Sequence, residues 1–172
     1  MFRWLMVTML FAALLLPVCS FADTRAPGPD TMQAQVQQAV DALLTTKDWL
    51  QLYRLVNETW PKTLPEAVQK QLIVALLKRM PSDRALVLEN TCDMVIMSRL
   101  AAGKMSFAGH GIILQQDLYL EGGRCAWAIE ELIGSTGLPA ITEGMTPAQR
   151  EEAARQAAYR VIEVMAMPTK AR

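Results

Sequence analysis

Histidine, paired carboxylates and cysteines are the side chains most able to do chemistry in this 172-residue chain, and all are sparse. The single histidine, His110, sits between Gly109 and Gly111 at the end of the stretch Gly103–Gly111, which holds three glycines and Phe107. A histidine on such a loop has the right pKa range for a general base. Asp117 and Glu121 are its nearest carboxylates downstream, so an envelope-acting enzyme using His110 is one reading. No nucleophile accompanies it. The spacing favours a partner contact on a shaped loop over a catalyst. The carboxylate pairs argue the same way. Glu130-Glu131 and Glu151-Glu152 are adjacent, so on a helix they diverge by about 100° and cannot share a substrate. Asp117 and Glu121, four apart, share a helical face, as two-carboxylate glycoside hydrolysis would want. Nothing marks a cleft around them, and solvated helix faces account for all three pairs.

Cys92 and Cys125 are two of the three cysteines; Cys19 precedes them. An even pair in a small exported domain predicts a disulfide. It would close a loop of about 33 residues and add about 3–4 kcal/mol in the chain-entropy model. A zinc site would need C-x-x-C or H-x-x-H spacing, which is absent. There is no G-x-S-x-G elbow and no phosphate-binding loop. Met94, Met97 and Met105 cluster loosely, but without the repeated Met and His runs of a copper carrier they read as core filling. No catalytic residue, metal or cofactor is expected.

Residues 1–22 set the expected compartment. Arg3 precedes an apolar run from Leu5 to Leu16, Pro17 breaks it, and Ser20 and Ala22 place small residues at the −3 and −1 positions of a cleavage site. The run is shorter than the roughly 20 residues of a membrane span. Val18 is too bulky before Cys19 for a lipid-attachment site. Cleavage after Ala22 predicts a periplasmic or secreted protein with no stable membrane span. Of 17 basic and 17 acidic residues only Arg3 lies in this leader, so the remainder has a net charge of about −1. That balance excludes a nucleic-acid binder, which needs a basic face. Residues 23–29, with Ala-Pro-Gly-Pro, form an arm, and 30–172 a single domain.

The elements that must position these residues read as helices. Asp30 caps a first, with Val36, Ala39, Val40, Leu43 and Leu44 at helical spacing. Trp49, Leu52, Tyr53 and Val56 stripe a second, ended by Trp60-Pro61. Thr63 to Glu66 reads as a capping box opening a third, which buries Val68, Leu72, Ala75 and Leu76. From Ser82 to about Ala102 the chain is apolar on most sides and predicts the longest, central helix, closed by Gly103. Ile112 to Leu120 and Arg124 to Ile133 predict two short helices separated by Glu121-Gly122-Gly123. Thr146 to Gln149 forms a second capping box, opening a last helix. The fold expected is all-α, an irregular bundle of about seven short helices packed as helical hairpins with one disulfide. An exported helical module without a catalytic constellation points to binding another protein, with Lys104, Phe107 and His110 as contacts. The partner would be an envelope enzyme, inhibited by the loop as an inhibitor or immunity protein does. The alternative is a component of a secretion or envelope-assembly system, joined through the Trp49, Tyr53 and Trp60 region.

Overall fold

The apolar spacing of residues 36–44 and 68–76 is realised in two long helices that pack on each other. A computed structural model of the protein describes residues 28–107 and 111–167; the expected leader over 1–22 and His110 lie outside them. Helix α1 (Pro29–Thr45) starts with proline at its first position, where no N–H is needed, and Asp30 lies in its first turn instead of capping it. It buries Val36, Ala39, Val40 and Leu43. Helix α4 (Glu66–Leu77) buries Val68, Leu72, Ile73 and Leu76 and packs on α1. The expected capping box before α4 does not form. Thr63 donates back to the Thr59 carbonyl at 2.8 Å, and Pro65 occupies the cap position.

Between them run α2 (Trp49–Arg54), a π-helical turn (Leu55–Thr59) and α3 (Trp60–Thr63). Asp48 caps α2 by accepting from the Gln51 amide at 2.8 Å. The expected stop at Trp60-Pro61 is replaced by a continuation. The wider π turn lets the Trp60 amide reach the Leu55 carbonyl, and Pro61 falls in the first turn of α3, where its missing N–H is harmless. Trp49 and Trp60 are buried, and the Trp49 ring lies 5.8 Å from that of Trp127. Those tryptophans belong to the core and form no docking surface.

The central helix expected over 82–102 is absent, and with it the all-α class. Residues 82–89 run as an extended strap, which ends at Asn90 (φ +55°) and a turn over 92–93. Leu86 donates to the Tyr119 carbonyl, Glu121 to Arg84 and Gly122 to Ser82, while Trp49 donates to the Glu89 carbonyl and Glu89 to that of Lys47. In residues 82–90 only Leu88 among the expected core residues is buried. Strand β1 (Met94–Ile96) follows, then the short helix α5 (Met97–Ala101), and β1 pairs in parallel with β2 (Ile112–Leu114), which replaces the start of the expected Ile112–Leu120 helix. An uninterrupted apolar run fits a buried strand as well as a helix, and the β-branched Val95, Ile96, Ile112 and Ile113 favour the strand. Gly103, at φ +70°, does close a helix, but only the short α5; the Lys104 amide reaches back to the Arg99 carbonyl at 2.8 Å.

Helix α6 (Glu121–Ile133) crosses the middle, touching α1, α4, the π turn and α7 (Pro147–Ala166). These contacts join elements distant in sequence, so the packing is not a series of helical hairpins. Gly122 and Gly123 are in its first turn and not a loop, and they are glycine because a Cβ at Gly122 would overlap the Met80 carbonyl and one at Gly123 the Asp117 carbonyl. Gly134 closes α6 at φ +62°, and Thr146 and Gln149 form the capping box of α7 with both reciprocal bonds.

The expected disulfide is also absent. Cys92 is an exposed free thiol on the turn before β1, and Cys125 is a free thiol wholly buried in α6. The prediction placed Cys92 on a helix packed against that of Cys125. A turn stands there instead, with Cys92 exposed and Cys125 in the core, and the two sulfurs are not joined. Burial, with Glu121 adding to it, pushes the Cys125 thiol up to about 12, so it is not a nucleophile at neutral pH.

Candidate functional site

The expected contact Lys104 stands at the edge of a cleft of about 330 Å³, lined by Ser98, Arg99, Ala102, Lys104, Asp117, Glu143 and Gly144. Three pieces of chain build it. Helix α5 and its Gly103 turn present Ser98, Arg99 and Lys104. The turn after β2 presents Asp117, and the loop before α7 presents Glu143.

Asp117 forms the floor and has no accessible surface. Arg99 donates to both its carboxylate oxygens through Nε alone, at 2.9 and 3.0 Å. The Tyr119 amide donates to Oδ1 at 3.1 Å. The guanidinium carbon lies 4.5 Å from the centroid of the Tyr119 ring, a cation–π geometry, and the Tyr119 hydroxyl is 3.2 Å from Thr91 Oγ1. The Arg99 plane is therefore fixed on one side by a carboxylate and on one face by a ring. Its two Nη atoms carry four N–H donors, and these find no acceptor among the described residues. The side chain keeps 20% of its surface exposed.

At the edge, the Lys104 ammonium pairs with the Glu143 carboxylate, both side chains half exposed. That contact, with a smaller contribution from Arg99, holds the Glu143 carboxyl below the usual range. Ser98 Oγ is buried and has no hydrogen-bond partner among the described residues. Nothing here activates it as a nucleophile. The arrangement has the parts of a binding site: two cations and two carboxylates.

A second charged assembly, around the start of α6, is closed. Glu121 accepts from Arg79 at 2.9 Å, from Arg84 and from Ser82 at 3.3 Å. Burial works against its charge, but the two guanidiniums outweigh it and lower its pKa. Arg124, wholly buried, donates to the carbonyls of Leu43, Thr46, Val87 and Leu118. Burial pulls it down to about 10, so it stays charged at neutral pH. The Leu43 and Thr46 carbonyls lie at the C-terminal end of α1, where the helix dipole favours a cation.

Of the residues the sequence nominated, Lys104 joins the cleft. Phe107 is exposed but does not line it, and His110 falls outside the described residues. Asp117 and Glu121 are not on a solvated helix face. Each is buried, Asp117 bound to Arg99 and Glu121 to Arg79 and Arg84, so they share no substrate. Sequence reasoning missed Arg99, Ser98 and Glu143. One signal was available: Arg99 and Asp117 are lone charges in apolar stretches, and a charge surrounded by apolar neighbours needs a partner. Among the described residues no group of three or more His, Cys, Asp or Glu side chains is set to hold a metal. No described helix is long and apolar enough to cross a membrane. Comparison with family models, characterised proteins and solved structures returned no match.

Proposed function

We propose that this protein is a protein-binding module whose contact face is the segment from α5 to β2. One observation carries the reading: Met97, Phe107, Ile112 and Ile113 are all exposed within that short segment, Ile113 by 57%. Exposed apolar side chains grouped around an edge strand mark an interaction surface. The Ile112 amide donates to the Asp93 carbonyl at 2.7 Å. In a parallel ladder alternate residues face the neighbouring strand, so the backbone of Ile113 is directed away from β1. An extended segment of a partner could add alongside β2 with main-chain bonds at Ile113 and apolar contact with Phe107.

The place of action that goes with this reading is outside the cytoplasm. Arg3, the Leu5–Leu16 run and the small residues Ser20 and Ala22 support it. The partner is then an envelope protein, whether an enzyme to be inhibited or an assembly to be joined.

Photo-crosslinking in intact cells tests the proposal. A photoreactive residue at position 113 or 107 is expected to capture one discrete partner, and one at the exposed Tyr159 on α7 none. Identical adducts from all three positions, or none from 113 and 107, would remove the reading. N-terminal sequencing of the same protein checks the compartment, with Asp23 as the expected first residue.

A further inference from the structure

The geometry points to a binding site for a small zwitterion, an α-amino acid or a compound carrying the same two end groups, in the cleft between α5 and the loop at Glu143. It stands on the cleft alone and is independent of the contact face proposed above.

The unused donor fork of Arg99 is the first ground. Arg99 touches Asp117 through Nε only, and its Nη atoms meet no acceptor among the described residues. The more exposed Arg79 and Arg84 also use one nitrogen each, on Glu121, but the two buried arginines behave differently. Arg124 donates from Nε, Nη1 and Nη2 to carbonyls, and Arg150 uses all three nitrogens on Pro81, Met145 and Asp83. Asp117 and the Tyr119 ring hold the Arg99 plane in place before any ligand arrives. A rigid, unoccupied pair of parallel N–H donors matches a carboxylate.

The charge balance selects the second end of the ligand. Arg99 and Lys104 are matched by Asp117 and Glu143. A simple anion would leave the cleft with excess negative charge beside a fully buried aspartate, which disfavours it. A zwitterion leaves the balance unchanged. Its carboxylate takes the Arg99 fork, and its ammonium takes Glu143, whose Oε1 makes no hydrogen bond to the described residues while Oε2 holds Lys104. The Lys104–Glu143 pair is half exposed and weakly held in water, so an ammonium can share it.

The third ground is the size of the cleft. Ser98 is part of its wall, with the hydroxyl itself buried behind that wall. A volume of about 330 Å³ lies within the range of small-molecule sites.

Isothermal titration calorimetry on the full chain, with the standard L-α-amino acids as probes, tests this. At least one is expected to bind at millimolar concentration or below. Its N-acetyl derivative and its methyl ester, each lacking one charge, should both bind about tenfold more weakly or worse. Arg99→Lys keeps a cation beside Asp117 but removes the fork, and is expected to weaken binding by about tenfold. Glu143→Gln alters only a surface side chain, so it carries the test if Arg99→Lys fails to fold, and a similar loss is expected. The inference is overturned if none of the amino acids gives heat at millimolar concentration. It is also overturned if the N-acetyl derivative binds as well as the free amino acid, which would mark a plain carboxylate site, or if Glu143→Gln binds like the wild type.

Discussion

Arg124 donates from every nitrogen of its guanidinium to backbone carbonyls, whereas Arg99 donates through Nε alone and to one carboxylate. Arg124 has no carboxylate partner. A charge taken wholly out of water is tolerable only when its donors are saturated, and four carbonyls from α1, the strap and the turn after β2 do that. Arg99 keeps a fifth of its surface in water, so its spare donors are solvated and incur no such penalty. The same side chain is a fastener in one place and an open receptor in the other. The difference is how many acceptors the surrounding backbone brings.

The widest separation between the two regions is expected on removing the buried guanidinium. Arg124→Met leaves the Leu43, Thr46, Val87 and Leu118 carbonyls without their donor. A loss of about 3–5 kcal/mol is expected in urea denaturation. A loss under about 1 kcal/mol would mean that water replaces the guanidinium, and the contrast with Arg99 would collapse.

A smaller effect should connect the two regions. Gly123→Ala places a methyl group against the Asp117 carbonyl, so α6 or the cleft floor must shift. Overpacking of this kind costs about 1–3 kcal/mol. Nuclear magnetic resonance shifts at Arg99 and Tyr119 are expected to move with it, and their constancy would show that α6 yields instead.

Acid titration sharpens the comparison further. The Glu121 carboxyl has its folded pKa lowered from the ordinary 4.5. Its contribution is therefore complete above that value and is lost as pH falls through the folded pKa, because the unfolded chain binds the proton first. Glu121→Gln is expected to flatten this acid limb in thermal melts. Glu143 is also lowered by its partner Lys104, but the pair is exposed and screened, so Glu143→Gln should leave the limb unchanged. Equal flattening by both variants would contradict the division into a closed and an open region.

The smallest effect is expected at the cleft edge. Lys104→Ala should alter stability by less than about 0.5 kcal/mol in the same denaturation measurement, since exposed ion pairs contribute little.

Several elements were legible before the structure because their signals are local. The stripes of α1 and α4, the Thr146–Gln149 box of α7 and the closing glycines 103 and 134 all rest on residues within a turn or so of one another. The strap was misread because residues 82–102 are apolar without a decisive period. The chain resolved that ambiguity by pairing its backbone with residues 47–49 and 119–122. The Cys92–Cys125 bridge failed with it, since its geometry presupposed the missing helix. At the site, Lys104 was nominated through its glycine-rich surroundings, as a contact for a partner, and it stands at the edge of the cleft. Arg99 was missed because its meaning depends on Asp117, eighteen residues away.

The sequence by itself determined the inward faces of α1 and α4, the capping box that opens α7 and the glycine that closes α6, because capping and apolar spacing act over a few residues. Only the tertiary structure decided that 82–89 is extended, that β1 and β2 pair, that Arg124 is saturated and that Arg99 is not. Each of those outcomes depends on which distant carbonyl or carboxylate reaches a given donor. That is a matter of three-dimensional proximity and is written in no local pattern of residues.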